Sequence, residues 1–178
     1  MTSTLFTIDN FLSKSECAHL VELAEQRSFE PAPITTSRGF EMMPDVRNNT
    51  RVMIDDAPRA ASLWSRLSPF IRAERVGLPV GLNERFRFYR YRPGQCFRWH
   101  YDGRFRRDEM EESALTFMVY LNEDFEGGAT EFDLPARSVV PHTGTALIFE
   151  HRLRHQGAPV VSGTKYVLRS DVMFRRAG

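Results

Sequence analysis

The sequence predicts an antiparallel β-sandwich or barrel with helices packed against its outside. Three observations carry this class. From residue 83 onward, short alternating or continuously apolar stretches rich in aromatic and β-branched residues follow one another. Glycine and proline turn signals separate those stretches. The helical signals are confined to the first half of the chain, so no helix comes between the strands.

The first half is read from its caps and its period. Ser13 and Glu16 have the spacing of a capping box, in which each side chain satisfies a backbone donor at a helix start. Cys17, Leu20, Val21 and Ala24 then recur at helical spacing, which predicts an amphipathic helix over 14–27. Residues 31–49, with Pro31, Pro33, Gly39, Pro44, Asn48 and Asn49, read as a long loop or mobile flap. A short strand over 51–54 brings that loop back to the body. A second helix is expected over 57–74, opened by Asp55 or Asp56 and lined by Ala60, Leu63, Trp64, Leu67 and Ile71; Pro69 should kink it.

The later strands are expected at 84–91, 115–121, 129–134, 145–149 and 165–174. Turns at Pro93-Gly94, Gly127-Gly128, Pro141, Gly144 and Gly163 separate them. The chain therefore reads as one domain over 1–178, with helical support over about 1–82 and a β core over about 83–175.

With 178 residues, 42% of them apolar, the chain can bury a core without disulfide staples. A net charge of +1 gives no general pull toward nucleic acid or a membrane surface, and neither partner is expected. Arg104, Arg106 and Arg107 are followed at once by Asp108, Glu109, Glu111 and Glu112, which reads as a solvated loop face or else a substrate-guiding rim. Cys17 and Cys96 make no CxxC motif. The opening MTSTLFTIDNFLS lacks the basic and apolar regions of a secretory signal, and no apolar run nears the ~20 residues that span a bilayer. A soluble cytoplasmic protein is the expectation, with its oligomeric state open.

The sharpest chemical feature is His100-Tyr101-Asp102. In an extended segment, residues i and i+2 project to the same side, so His100 and Asp102 can grip one ion together. Alone, that pattern is common. Its weight comes from His155, which arrives beyond the strand block in Arg154-His155-Gln156-Gly157. Two neutral imidazoles and a carboxylate form the facial triad of non-haem iron(II) oxygenases, with coordination positions left open for substrates. Lys165 follows at the start of the last strand, on one face with Val167 and Arg169. A buried lysine is expensive without an anion, so an inward Lys165 calls for an anionic partner.

The segments HYD, GGATEF (127–132) and RHQGAPVVSGTKYVLRSDVMF (154–174) together resemble the prolyl 4-hydroxylase-type branch of the 2-oxoglutarate/Fe(II) dioxygenases. FYRYRPGQCFRWHYD (88–102) is similar to that family's strand leading into the metal motif, and the resemblance covers roughly residues 84–174. It implies a double-stranded β-helix, or jelly-roll, with the metal at its open mouth. It implies Fe(2+) on His100, Asp102 and His155, with 2-oxoglutarate and O2 consumed and L-ascorbate (vitamin C) keeping the iron reduced. It assigns the distal carboxylate of 2-oxoglutarate to Lys165 and brings in Tyr91, and Tyr120 on the strand face shared with Thr116 and Met118.

Arg169 departs from the family pattern, where many relatives carry a smaller or neutral residue. It can meet the C1 carboxylate of 2-oxoglutarate, meet an anionic substrate, or pair with Asp171 or another acid. His151 also follows the apolar strand and competes with His155; the family spacing to Lys165 favours His155. His142 and His151 are expected as ordinary loop histidines or as partners behind the ligands. Substrate contacts are expected from the 31–51 loop, through Asn49 and Arg51, and from the charged 103–113 loop. Peptidyl proline is the leading substrate on resemblance. A free amino acid or other small metabolite is the alternative, and a non-catalytic cupin-like metal-binding module is the reading from another class.

Overall fold

The computed structural model describes residues 4–73 and 77–176. β1 (Leu5–Ile8) precedes α1 (Lys14–Glu25). The short strands β2 (Glu30–Pro31), β3 (Ile34–Thr36), β4 (Gly39–Glu41) and β5 (Thr50–Asp55) follow, then α2 (Ala57–Leu67) and a 3-10 turn, Ser68–Phe70. β6 (Leu78–Leu82), β7 (Arg85–Tyr91), β8 (Phe97–His100) and β9 (Glu111–Tyr120) form the middle of the chain. The last part holds β10 (Glu126–Gly127), β11 (Thr130–Phe132), β12 (Arg137–Val139) and β13 (Ala146–Glu150). It closes with β14 (His155–Gly157), β15 (Val160–Ser162) and β16 (Lys165–Arg175).

These strands form an antiparallel sheet in the order β1-β13-β9-β16-β7-β5-β2, with β6 also on β16, and a smaller sheet in the order β12-β11-β14-β8. This is the double-stranded β-helix that the family resemblance implied. Alternation along each strand divides two cores. Phe86, Phe88, Leu115, Phe117, Val119, Ile148 and Leu168 point outward onto Cys17, Leu20 and Ala24 of α1 and Ala60, Leu63 and Leu67 of α2. Tyr89, Tyr91, Tyr120, Leu147, Phe149 and Val167 point inward, where they meet Phe132, Val139, Leu153 and Val160. Strands buried on both faces read as continuous apolar runs, which is why 115–121 showed no clean alternation.

α1 begins as expected: the Ser13 hydroxyl accepts from the Glu16 backbone at 3.2 Å, and the Glu16 carboxylate accepts from the Ser13 backbone at 2.7 Å. α2 starts on Asp56, whose carboxylate accepts from the Arg59 backbone at 2.9 Å. The expected kink is a stop instead. Pro69 has no N–H to continue the ladder, so the α-helix ends at Leu67 in the 3-10 turn. Residue 74, its expected end, lies outside the described residues.

Three further expectations are corrected. The 31–49 segment is not all loop: β3 and β4 pair as a hairpin, and β2 pairs with β5. The N-terminal region is not only helical support, since β1, β2, β5 and β6 all join the main sheet. The charged 103–113 loop is shorter than its composition suggests, because β9 starts at Glu111. Glu111 and Glu112 are buried against arginines: Arg107 and Arg175 hold Glu111 at 3.0 and 2.9 Å, and Arg176 holds Glu112 at 3.2 Å. Two acids of a run that looks solvated in sequence are ion-paired in the fold. No helix among the described residues is long and apolar enough to cross a membrane.

Candidate metal centre and cosubstrate cavity

Local pairing creates the constellation. His155 and His100 are register partners in the antiparallel β14–β8 pair, so strands far apart in sequence bring the rings to a centroid separation of 4.2 Å. Asp102 follows β8 by two residues, and its backbone N–H donates to the His151 carbonyl at 3.1 Å. One ligand atom from each of His100, Asp102 and His155 lies within 4.8 Å of the others.

The orientation of both rings follows from simple bookkeeping. His100 Nδ1 lies 2.6 Å from the Arg98 carbonyl, and His155 Nδ1 lies 2.9 Å from the Leu153 carbonyl. A carbonyl can only accept, so each Nδ1 carries the proton and each Nε2 keeps its lone pair. Those Nε2 atoms face the Asp102 oxygens, each at 3.7 Å. Burial lowers the His100 imidazole to about 3, and it lowers His155 as well, so both rings are neutral near pH 7. Burial opposes ionisation of Asp102, but the Arg169 guanidinium together with His155, His100 and His151 outweighs it and holds the carboxyl below its usual range. The Thr116 hydroxyl donates to Asp102 Oδ2 at 2.5 Å. Neutral nitrogens and a fixed carboxylate are the donor chemistry that a divalent iron site needs. The residues fit the group.

A cavity opens onto this cluster, whose three residues form part of its wall. Tyr89, Tyr91, Met118, Phe149, Lys165, Val167 and Arg169 of the large sheet line it, with Phe97 from the smaller sheet. Lys165 is 3% exposed, its Nζ donates to the Gly128 carbonyl at 2.6 Å, and the Tyr91 and Tyr120 rings stand 5.2 and 5.5 Å away. Among the described residues no carboxylate pairs with it, and burial pushes the ammonium down to about 7. Gly128 sits at φ +67, where a Cβ would come within 3.1 Å of Lys165 Cδ; glycine leaves the lysine room to reach inward.

Tyr91 is the register partner of Lys165, and burial raises its phenol to about 12, so it stays a donor. Tyr120 is fully buried and already committed, donating to Thr130 Oγ1 at 2.7 Å. Arg169 meets acids: its Nη2 lies 3.1 Å from Asp102 and 3.4 Å from Asp171.

Asn49 does not face an incoming molecule. It is 0% exposed, accepts from Arg47 Nε at 2.8 Å and donates to the Thr50 carbonyl at 3.0 Å. The expectation that it touches substrate is corrected. Arg51 is half-buried, 6.0 Å from the Phe40 ring, and outside the cavity lining. His151 is no loose loop histidine either. It is buried behind the cluster, with Nε2 3.5 Å from Asp171 Oδ1.

Sequence reasoning missed Arg47, Tyr89, Phe97 and Thr116. Phe97 stacks on the His100 ring at 3.4 Å, and Arg47 lies over the rings of Phe97 and Tyr89 at 4.4 and 4.6 Å. Tyr89 had a legible signal, because alternation puts it on the Tyr91 face of β7. Arg47 had none, since only the fold brings its loop beneath that face.

A sequence model of the 2OG-Fe(II) oxygenase superfamily matches residues 86–170. Prolyl 4-hydroxylase 1 of Arabidopsis thaliana is 25% identical over 91% of this chain, which spans 66% of that relative's length. A viral collagen prolyl hydroxylase from Paramecium bursaria Chlorella virus-1, solved with 2OG, superposes with a TM-score of 0.67 at 24% identity, covering 96% of each chain. A Trichoplax adhaerens prolyl hydroxylase, solved with a hypoxia inducible factor peptide fragment, gives 0.70 at 19% identity, covering 96% of this chain and 84% of its own. At those identities the structural likenesses establish the fold.

Proposed function

We propose that this chain, which a sequence model of the 2OG-Fe(II) oxygenase superfamily matches over residues 86–170 and which is similar to prolyl 4-hydroxylases, is an oxygenase of that type that hydroxylates an unactivated C–H bond, with peptidyl proline as the leading substrate. The observation that carries the reading is the His100–Asp102–His155 cluster at a cavity that also holds the buried, acid-free Lys165. In this reading the three residues hold Fe(2+), and Lys165 and Tyr91 hold the distal carboxylate of 2-oxoglutarate. When bound, iron and 2-oxoglutarate supply the oxidising chemistry: O2 is consumed, succinate and CO2 are released, and one oxygen atom enters the substrate.

The chain's own residues do the positioning. The Arg98 and Leu153 carbonyls aim both imidazoles, and Thr116 steadies the Asp102 carboxylate. Lys165 supplies charge matched to a carboxylate in a dry site, where that pairing is stronger than in water. Phe97, Phe149, Met118 and Val167 line the reaction space with apolar surface that excludes water. L-ascorbate as the reductant belongs to the same proposal.

The test is anaerobic addition of Fe(2+) and 2-oxoglutarate, then oxygen. A visible charge-transfer band followed by succinate formation is expected, and mass spectrometry of candidate peptides should find a gain of one oxygen. A chain that binds iron but shows neither band nor succinate is a metal-binding module of the cupin type.

A further inference from the structure

Lys165 and Arg169 point into one cavity from the same strand, their Cα atoms ~13 Å apart at the usual rise per residue. Arg169 stands at the Asp102 end, and positive charge gathers around it. Arg87 is its register partner on β7. Two guanidiniums directly opposite one another repel, and Asp171 holds both, Arg87 at 3.0 Å and Arg169 at 3.4 Å. Arg47 lies over the adjacent Tyr89 ring. Arg47 Nη2 and Arg169 Nε are buried without hydrogen-bond partners among the described residues.

The acids facing this group are Asp171 and Asp102, and Asp102 is engaged by the metal in the proposed reading. A divalent metal and a dianionic cosubstrate cancel. Lys165, Arg47, Arg87 and Arg169 against Asp102 and Asp171 then leave a positive surplus in a low-dielectric space. The Tyr89 hydroxyl sits within it, 3.5 Å from Arg169 Nη1. Burial pushes that phenol up, yet Arg169, Arg47 and Arg87 bring it down to about 8. A buried phenol that ionises more easily than in water marks a place where negative charge is welcome.

We propose that Arg169 and Tyr89, backed by Arg47 and Arg87, form a subsite for a carboxylate of the primary substrate, separate from the Lys165 end. The inference rests on the oxygenase reading and narrows its substrate class. The molecule hydroxylated bears a carboxylate near the reacting carbon, either that of a free amino acid or an acidic side chain beside the target proline. Asp171 and Asp102 hold Arg169 Nη2 and so fix the guanidinium plane, Nη1 lies beside the Tyr89 hydroxyl, and Nε is left without a partner, so the group keeps donor capacity for a carboxylate.

The test uses the full chain loaded with Mn2+ in place of Fe2+ and saturated with 2-oxoglutarate, titrated calorimetrically with matched probes. One pair is L-proline and L-prolinamide. The other is two proline peptides that differ only in Glu or Gln beside the proline. The carboxylate member of one pair should bind about tenfold tighter or more, a difference of ~1.4 kcal/mol. The pair that shows the preference identifies its source. Arg169→Gln should abolish it. Since Arg169 also touches Asp102, Tyr89→Phe, which keeps that contact, is the second variant and should lower the preference several-fold.

Equal binding within both pairs, or binding of no probe while 2-oxoglutarate binds, overturns the subsite. A preference unchanged in both variants overturns its assignment to these residues. A wild-type chain that takes up Mn2+ but no 2-oxoglutarate overturns the oxygenase reading, and the subsite with it.

Discussion

Mixing 2-oxoglutarate with the metal-loaded protein at pH 8 should draw a proton out of solution, because of Lys165. Burial lowers its ammonium from 10.5 to about 7. The difference corresponds to ~5 kcal/mol against the charged form in the ligand-free cavity. At pH 8 about nine tenths of the ligand-free chains therefore carry a neutral amine. A carboxylate brought against Nζ favours the ammonium again, so binding takes up ~0.9 proton at pH 8 and ~0.1 at pH 6.

The sign follows directly. Above about pH 7 the complex holds more protons than the free protein, so affinity falls as pH rises, by about tenfold per pH unit until the complex itself titrates. Below about pH 7 this group leaves affinity flat. For the ligand-free fold, the penalty is full below about pH 7 and fades as pH rises toward 10.5, where the unfolded lysine is also neutral. Calorimetry in two buffers of different ionisation enthalpy reads the uptake as a slope. Lys165→Met should remove the slope, weaken 2-oxoglutarate binding and raise the melting temperature of the ligand-free protein near pH 7. A wild-type slope of zero at pH 8 would refute the reasoning.

Four other outcomes follow from the geometry. His155→Ala should abolish metal binding in equilibrium dialysis, whereas His151→Ala should retain it, because His151 faces Asp171; the reverse pattern means the ligand was misassigned. Thr116→Val removes the hydroxyl that holds Asp102 and should weaken metal affinity about tenfold or more, measured by competition with a chelating dye. Gly144→Ala would place a Cβ 2.0 Å from the Leu12 carbonyl oxygen at φ +82, and should lower stability by on the order of 3 kcal/mol in urea titration. Asn49→Ala leaves Arg47 Nε buried without its acceptor and should cost ~2 kcal/mol in the same assay; an unchanged midpoint would return Asn49 to a solvent-facing role.

Much of the molecule is local information and was therefore legible. The capping box at Ser13 and Glu16, the alternation of 84–91 and the glycine turns are short-range rules that hold wherever the segment folds. The two-residue spacing of His100 and Asp102 was legible as a shared grip on one ion, although β8 ends at His100 and a backbone bond to His151 places Asp102. Position along the last strand likewise sends Lys165, Val167 and Arg169 to one face, as the cavity lining bears out.

What the tertiary structure decided depends on which distant segments meet. The β14–β8 register places His155 opposite His100, and β16 between β7 and β9 sets Lys165 beside Tyr91 and Arg169 beside Arg87. Asn48, Asn49 and Arg51 look alike as polar loop residues, yet burial takes Asn49 out of reach while Arg47 slides under Tyr89. Glu111 and Glu112 read as solvated until strand pairing carries Arg175 and Arg176 to them. Period and capping are properties of a segment alone. Burial and charge balance belong to pairs of segments, and only the packed chain fixes which pairs those are.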